Sequence, residues 1–192
     1  GVITGRKKTI FRDKIAVGGL IIGPKKLLDF CDGNPTILAM PIQIASHYDT
    51  IRSHDNLCSI NAGLTVDLTG QIASETIGHT QYSATGGQAD FVRGALASKG
   101  GKSFIALPST GKKKDGSLMS RIVLNFAPGT VVTTPRSDAM YIVTEYGVAD
   151  VFMKSIPDRV KALISIAHPD FREELEKQAF EAGLLIPATL PV

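Results

Sequence analysis

The sequence predicts an α/β fold, a mixed sheet flanked by helices within one domain spanning residues 1–192. Three observations predict it. Short β-rich segments separated by Gly, Pro, Asp and Ser crowd the middle of the chain, and helical periodicity takes over from Ser155 onward. Between the early strands and the late ones, a strand-like run passes through Gly86-Gly87 into a helical pattern. With 192 residues, 43% hydrophobic and 20% charged, the chain can build one sizeable core. No repeat, low-complexity tract or internal linker divides it.

Element by element, the opening GVITGRKKTIFRDKIAVGGL starts on a turn-like glycine without an initiator methionine. GPKKLLDFCDGNP predicts a short helix, with Pro24 near its start, Leu27, Leu28 and Phe30 along it, and Gly33-Asn34-Pro35 stopping it. TILAMPIQIAS is a strand-like apolar run broken by Pro41, which suits an edge position or a connector. Ile60, Leu64, Val66 and Leu68 lead through Gly70 to Ile72 and Ala73, an antiparallel pair around LTGQ. Gln71 to Ile77 reads as the strand ahead of the glycine pair. Ala89, Val92, Ala95 and Leu96 then recur at helical spacing, with Asp90 in the first turn, predicting a helix over about residues 88–98. Lys99 and Gly100 suit its C-terminal end. KSFIALP, SRIVLNF, GTVVTTP and AMYIVTE read as four more strands. Ser155-Ile-Pro-Asp158 forms a capping box with Asp in place of Glu, and the last helix runs from Pro169 to a C-cap at Gly183.

Charge and cysteine usage exclude several classes. A net charge of +3, on scattered basic residues without interleaved aromatics, does not suit nucleic acid. Arg6-Lys7-Lys8 and Lys112-Lys113-Lys114 read as solvated loops rather than phosphate clamps. Cys31 and Cys58 match no metal spacing and suggest no disulfide scaffold, which favours a reducing compartment. Without a signal peptide, or an apolar run near the ~20 residues that span a bilayer, a cytoplasmic protein with no membrane partner is expected. The four histidines form no ligand cluster, so no metal is expected.

Few residues carry a chemical signature. Gly86-Gly87 either presents bare backbone N–H groups to an anion at the helix start or is only a tight turn. Glu145, at the end of the apolar run YIVT and two residues before Gly147, either faces a ligand crevice or is a capping or salt-bridged residue. Glu75 is expected in a surface ion pair. Asn61, in an otherwise apolar or small strand, reads as a buried polar anchor that must find a hydrogen-bond partner. Ser83 and Ser103 lack a nucleophile-elbow context, and neither a Walker A loop nor a dinucleotide fingerprint is present.

Taken together, SINAGLTVDLTGQIASETIG, SATGGQADFVRGA, SKGGKSFIALPST, TTPRSDAMYIVTEYGVAD and IAHPDFREEL resemble the C-terminal half of the acetyl-CoA hydrolase/CoA-transferase family, and within it the 4-hydroxybutyrate CoA-transferases. The resemblance implies the CoA-transferase (NagB/RpiA-like) fold. It implies exchange of CoA between an acyl-CoA and a short-chain carboxylic acid such as 4-hydroxybutyrate or acetate, through a glutamyl-CoA intermediate. It places Gly86-Gly87 at the oxyanion site and puts Asn61, Gln88 and Glu145 in the substrate- and CoA-binding pocket. Coenzyme A is then a substrate, and no tightly bound cofactor is expected.

One departure stands against these matches. In the family the nucleophilic Glu lies in a TEM- or SEM-like motif shortly before the region matching GVITGRKK. No residue here takes that position, Glu75 and Glu145 included. The expected partners are therefore the N-terminal half of the same enzyme, the acyl-CoA and carboxylate substrates, and further copies in a homo-oligomer; the chain alone is expected to be inactive. Competing readings are a CoA-thioester hydrolase, which shares every residue quoted, a non-catalytic CoA- or nucleotide-binding module, and a structural interaction domain.

Overall fold

The computed structural model describes residues 4–19, 21–113 and 115–185. Its first layer is a small β–α–β unit. Strand β1 (Ile15–Gly18) is followed by helix α1 (Lys25–Cys31), and strand β2 (Ile37–Met40) returns parallel to β1 in a two-stranded sheet. Pro41 ends β2 because it has no N–H for the ladder, and it serves as N-cap of α2 (Ile42–Ala45). Helix α3 (Tyr48–Arg52) follows, its first turn capped by His47 Nδ1, which accepts the Asp49 N–H at 3.3 Å.

Beyond this layer come β3 (Cys58–Ala62), β4 (Thr65–Asp67), β5 (Ile72–Ala73), β6 (Thr76–Ile77), β7 (Thr80–Gln81) and α4 (Gln88–Ala97). The remaining strands are β8 (Lys102–Ala106), β9 (Thr110–Lys112), β10 (Leu118–Ser120), β11 (Ile122–Val123), β12 (Tyr141–Thr144) and β13 (Gly147–Asp150). Helices α5 (Ile156–Ser165) and α6 (Pro169–Glu181) complete the element order. The main sheet has the order β13-β12-β8-β3, with β3, β8 and β12 parallel and β13 antiparallel at the edge. A second sheet, β11-β4-β5, pairs β11 with β4 in parallel and β4 with β5 in antiparallel. The strands are mixed, as the sequence predicts, but they divide among several small sheets instead of forming a single one.

The core lies between these two sheets and helices α4, α5 and α6. Val66, Leu68 and Ile72 from the second sheet meet Ile105 and Ile142 from the main sheet, with Val92, Val160 and Leu163 from the helices. Each such fully buried aliphatic side chain contributes about 1.5–3 kcal/mol. The main sheet is covered on one face only. Ser59, Ser103, Ile105, Ile142, Thr144 and Ala149 point into the protein and are buried, while Cys58, Ile60, Phe104, Tyr141, Val143 and Val148 alternate with them on an uncovered face. Ile60 is 72% exposed and Val148 58% exposed. Parallel strands are normally covered on both faces, so this apolar surface is unusual for a free domain.

Several expectations need correction. Gln71 to Ile77 is not one strand but β5 and the first arm of the β6–β7 hairpin, because Ser74 and Glu75 turn away to bond the loop at Thr133. GTVVTTP forms no strand; its β-pairing is limited to an isolated bridge between Thr134 and Ile72. Beyond the strand read in AMYIVTE, Gly147–Asp150 forms a further strand, the return arm of a hairpin with β12. Helix α4 ends at Ala97 with Ser98 as C-cap, so Lys99 lies beyond its last turn. At the last helix the C-cap is Ala182 and the expected glycine stands one residue beyond it: Gly183, at φ +71°, donates to Phe180 O at 3.0 Å, and Leu184 N–H reaches Ala179 O at 2.9 Å, a Schellman pattern. Ser155 caps α5, its Oγ accepting the Asp158 N–H at 3.4 Å, but the Asp158 carboxylate takes the Ser155 hydroxyl at 2.6 Å instead of its backbone N–H, so only half of the expected capping box forms. Lys112 and Lys113 lie exposed at the β9–β10 turn, and Lys114 lies outside the described residues.

Candidate active site

The glycine pair stands where a turn enters α4. Gly86 has φ +61°, the left-handed region, and Gly87 is the N-cap of the helix. No side chain caps α4, so its leading N–H groups have no side-chain acceptor. Gly87 and Gln88 form part of the wall of a cavity of about 1110 Å³ that opens between the N-terminal segment and the α3–α4 region. Asn61, from the inward side of β3, lines the same cavity, and its Nδ2 donates to Ser59 Oγ at 2.8 Å. Arg6, Lys7, Lys8 and His54 also line the cavity. Burial first, and then the charge of Lys8, hold the His54 imidazole below its ordinary range, so the positive charge of these four comes from the lysines and arginine.

Behind the turn sits Glu75. It is buried, at 7% exposure, and meets hydroxyl groups instead of a cation: Thr85 Oγ1 donates to Oε2 at 3.1 Å and Thr133 Oγ1 to Oε1 at 3.0 Å. The expected surface ion pair is absent among the described residues. Gln88 is also buried, and its Nε2 donates to Thr134 Oγ1 at 2.9 Å.

Glu145 occupies the turn between β12 and β13 and is exposed. Its carboxylate accepts the Ser109 N–H at 2.9 Å and the Ser109 hydroxyl at 2.6 Å. Those hydrogen bonds, the hydroxyl's above all, hold it below the usual carboxylate range. It does not line the cavity. Strand β12 lies two strand spacings from β3, about 10 Å across the sheet. The structure thus brings Asn61, Gly87 and Gln88 together, with Gly86 adjoining, and leaves Glu145 apart from them.

Residues 23–179 match the model of the acetyl-CoA hydrolase/transferase C-terminal domain. The chain belongs to that family. It is 48% identical, over 91% of its length, to the 4-hydroxybutyrate coenzyme A transferase of Clostridium kluyveri. It is 45% identical, over 96% of its length, to the butyryl-CoA:acetate CoA-transferase of Anaerostipes caccae. It spans about 40% of the length of these curated relatives, 40% of the first and 41% of the second. Among solved structures it resembles RipA of Yersinia pestis, with a TM-score of 0.86 and 41% identity over 96% of this chain and 41% of that one. The 4-hydroxybutyrate CoA-transferase of Porphyromonas gingivalis aligns with a TM-score of 0.77 and 40% identity, over 95% of this chain and 41% of its own.

In this acetyl-CoA hydrolase/transferase domain, sequence reasoning missed the side chains that hold the candidate groups. Ser109 had a faint signal, a small polar residue directly after a buried strand. Thr133 and Thr134 had none, since a Thr-Thr pair in an apolar run reads as strand. Among the described residues, no group of three or more His, Cys, Asp or Glu side chains is placed to hold a metal ion.

Proposed function

We propose that this chain is the C-terminal part of an enzyme that transfers CoA between an acyl-CoA and a short-chain carboxylic acid, such as 4-hydroxybutyrate or acetate. The observation that carries the reading is the convergence of Asn61, Gly87 and Gln88 on one cavity in a domain whose relatives are named CoA-transferases. The nucleophile is a glutamate in the remainder of the enzyme. Its carboxylate attacks the thioester carbonyl, and CoA leaves as a thiolate, giving an acyl-glutamyl anhydride. The thiolate then attacks the glutamyl carbonyl and releases the acid, giving glutamyl-CoA. The acceptor carboxylate attacks in turn, CoA returns to it through the same two steps, and the glutamate is regenerated.

Each addition places negative charge on a carbonyl oxygen. The N–H groups at the Gly86–Gly87 turn stabilise that oxyanion, since the uncapped start of α4 offers donors without a competing side chain. Asn61 and Gln88 orient the substrate beside the turn. Glu145, anchored by Ser109 and two strands away from Asn61 across the sheet, contributes once the remainder of the enzyme is in place.

The N-terminal half of the enzyme is the natural occupant of the uncovered sheet face, where Ile60, Phe104, Tyr141 and Val148 would otherwise meet water. A homo-oligomer in the cytoplasm completes the proposal; among the described residues no helix is long and apolar enough to cross a membrane. Coenzyme A is a substrate, with no tightly bound cofactor.

The test uses the full-length enzyme. CoA transfer is measured with and without acceptor acid: turnover that needs no acid would make the protein a hydrolase. Acyl-CoA followed by borohydride should reduce the glutamyl-CoA thioester and mark the nucleophile outside this chain. A mark on Glu75 or Glu145, or transfer by the 192-residue chain alone, would overturn the proposal.

A further inference from the structure

The Gly86–Gly87 turn is tied on both sides to one pair of adjacent threonines. Ahead of the turn, Thr85 Oγ1 donates to Glu75 Oε2 at 3.1 Å, and Glu75 Oε1 accepts from Thr133 Oγ1 at 3.0 Å. Behind it, Gln88 Nε2 donates to Thr134 Oγ1 at 2.9 Å. The threonines are themselves fixed against β5. Their N–H groups reach Ile72 O at 2.9 and 3.1 Å, and the Ile72 N–H returns to Thr134 O at 3.0 Å. Thr133 Oγ1 also accepts the Ser74 N–H at 3.0 Å, which leaves its one proton for Glu75.

Glu75 is a costly residue for a purely structural role. A buried carboxyl group without a cation carries a desolvation penalty that two hydroxyl donors offset only in part, and apolar side chains often fill such a space at lower cost. Its distinctive property is two acceptor oxygens and no obligatory donor, so it takes both threonine protons at once and fixes the direction of each. The turn needs such a tether. Gly86 is exposed and a Cβ built on it would meet nothing within 4 Å, so no neighbour packs against the turn on that side.

We propose that Glu75 is a positioning residue for the Gly86–Gly87 backbone: through Thr85 it sets the orientation in which the N–H groups of the turn receive the substrate oxyanion. The inference rests on the oxyanion role proposed above for that turn.

The experiment compares Thr85→Val, Thr85→Ser and Glu75→Gln in the full-length enzyme. Thr85 is exposed, so its valine variant removes one hydroxyl with little change in volume and leaves the core intact. A misdirected turn should lower kcat for CoA transfer roughly tenfold to a hundredfold, while KM for acyl-CoA and the melting temperature stay close to wild type. Thr85→Ser should restore kcat. Glu75→Gln should fall with Thr85→Val, and the double variant should be no slower than either alone, because both break one tether. An unchanged kcat in Thr85→Val, or a Thr85→Ser enzyme as slow as the valine variant, overturns the assignment. So does a loss of melting temperature with kcat per folded enzyme preserved. Amide hydrogen exchange of the segment around residues 86–88 separates this from the functional reading. Wild-type enzyme that transfers no CoA would defeat the oxyanion role and the positioning of it together. Faster exchange in Thr85→Val would still establish the tether, and unchanged exchange would defeat the tether alone.

Discussion

Glu145 and Ser109 meet through two hydrogen bonds at once, the N–H and the hydroxyl of one residue on the two carboxylate oxygens of the other, at 2.9 and 2.6 Å. Both favour the charged carboxylate. The Ser109 hydroxyl is the largest cause of its lowered pKa, backbone donors of Glu145 and Ser109 follow, and burial opposes them weakly. Ser109→Ala should therefore raise the titration of Glu145 toward the ordinary glutamate value of about 4.3, read by carbon-13 NMR of the carboxyl group. The folded pKa lies below the unfolded one, so the contact stabilises the protein above the unfolded value. That contribution is lost as pH falls through the folded one. The alanine variant should accordingly lose less stability on the acid side than wild type. A Glu145 titration unmoved by Ser109→Ala would show that other groups set it.

Gly86→Val should damage turnover of the full-length enzyme more than its stability. There is room for the side chain, but φ +61° is a conformation that a β-branched residue avoids, at a cost of roughly 1–2 kcal/mol. Relaxing that strain rotates the peptide and displaces an N–H donor, and loss of one oxyanion donor typically lowers kcat by ~10²–10³. Steady-state kinetics beside a melting curve would decide the matter, and near-normal turnover would remove Gly86 from the oxyanion site.

At Gly94 two effects of opposite sign compete. Alanine is the better helix former by about 1 kcal/mol. Its Cβ, however, would overlap Ile51, whose own Cβ would be 2.6 Å away and which is 2% exposed where α3 crosses α4. Overpacking of this kind costs about 1–3 kcal/mol, so Gly94→Ala should be neutral to destabilising by up to about 2 kcal/mol. Stabilisation, measured by denaturant titration, would mean that α3 moves aside freely.

Arg159 is buried and pairs with carbonyl oxygens alone: Arg136 O at 2.7 Å, Lys154 O at 3.1 Å and Thr69 O at 3.2 Å. Burial, and secondarily Arg136, push its pKa down. Arg159→Met keeps most of the volume while stranding these carbonyls, and should cost about 2–4 kcal/mol. The urea midpoint should fall with the slope unchanged. A variant as stable as wild type would mean that water satisfies the carbonyls.

What could be read in the sequence was local. The start of α4 at Gln88, the Ser155 cap of α5 and the glycine turn at Gly183 that closes α6 each follow from neighbours in the chain, and all three form. Glu75 illustrates the opposite case: its partners Thr85 and Thr133 are 10 and 58 residues away, and nothing near it announces burial. Val131 and Val132 have strand propensity but remain 45% and 39% exposed, in a loop whose backbone is held by side chains such as Thr76, which accepts the Val131 N–H at 2.7 Å, instead of by a strand partner. Within the candidate site, the glycine pair and Asn61 were legible by type, whereas the separation of Glu145 from them depends on strand order.

The one-sided main sheet also governs how this chain can vary in length. Asn61, Ile105 and Ile142 share a row on the inner face, and Ile60, Phe104 and Tyr141 share the next row on the outer one. Deleting a single residue within β8 would drive an aromatic ring toward the core and carry Ile105 outward, reversing the parity of the strand between β3 and β12. Deleting two would restore it. Homologous chains should therefore gain and lose residues in the turns around this sheet, and within its strands only in even steps, because an odd step would exchange the face that supports the cavity for the uncovered one.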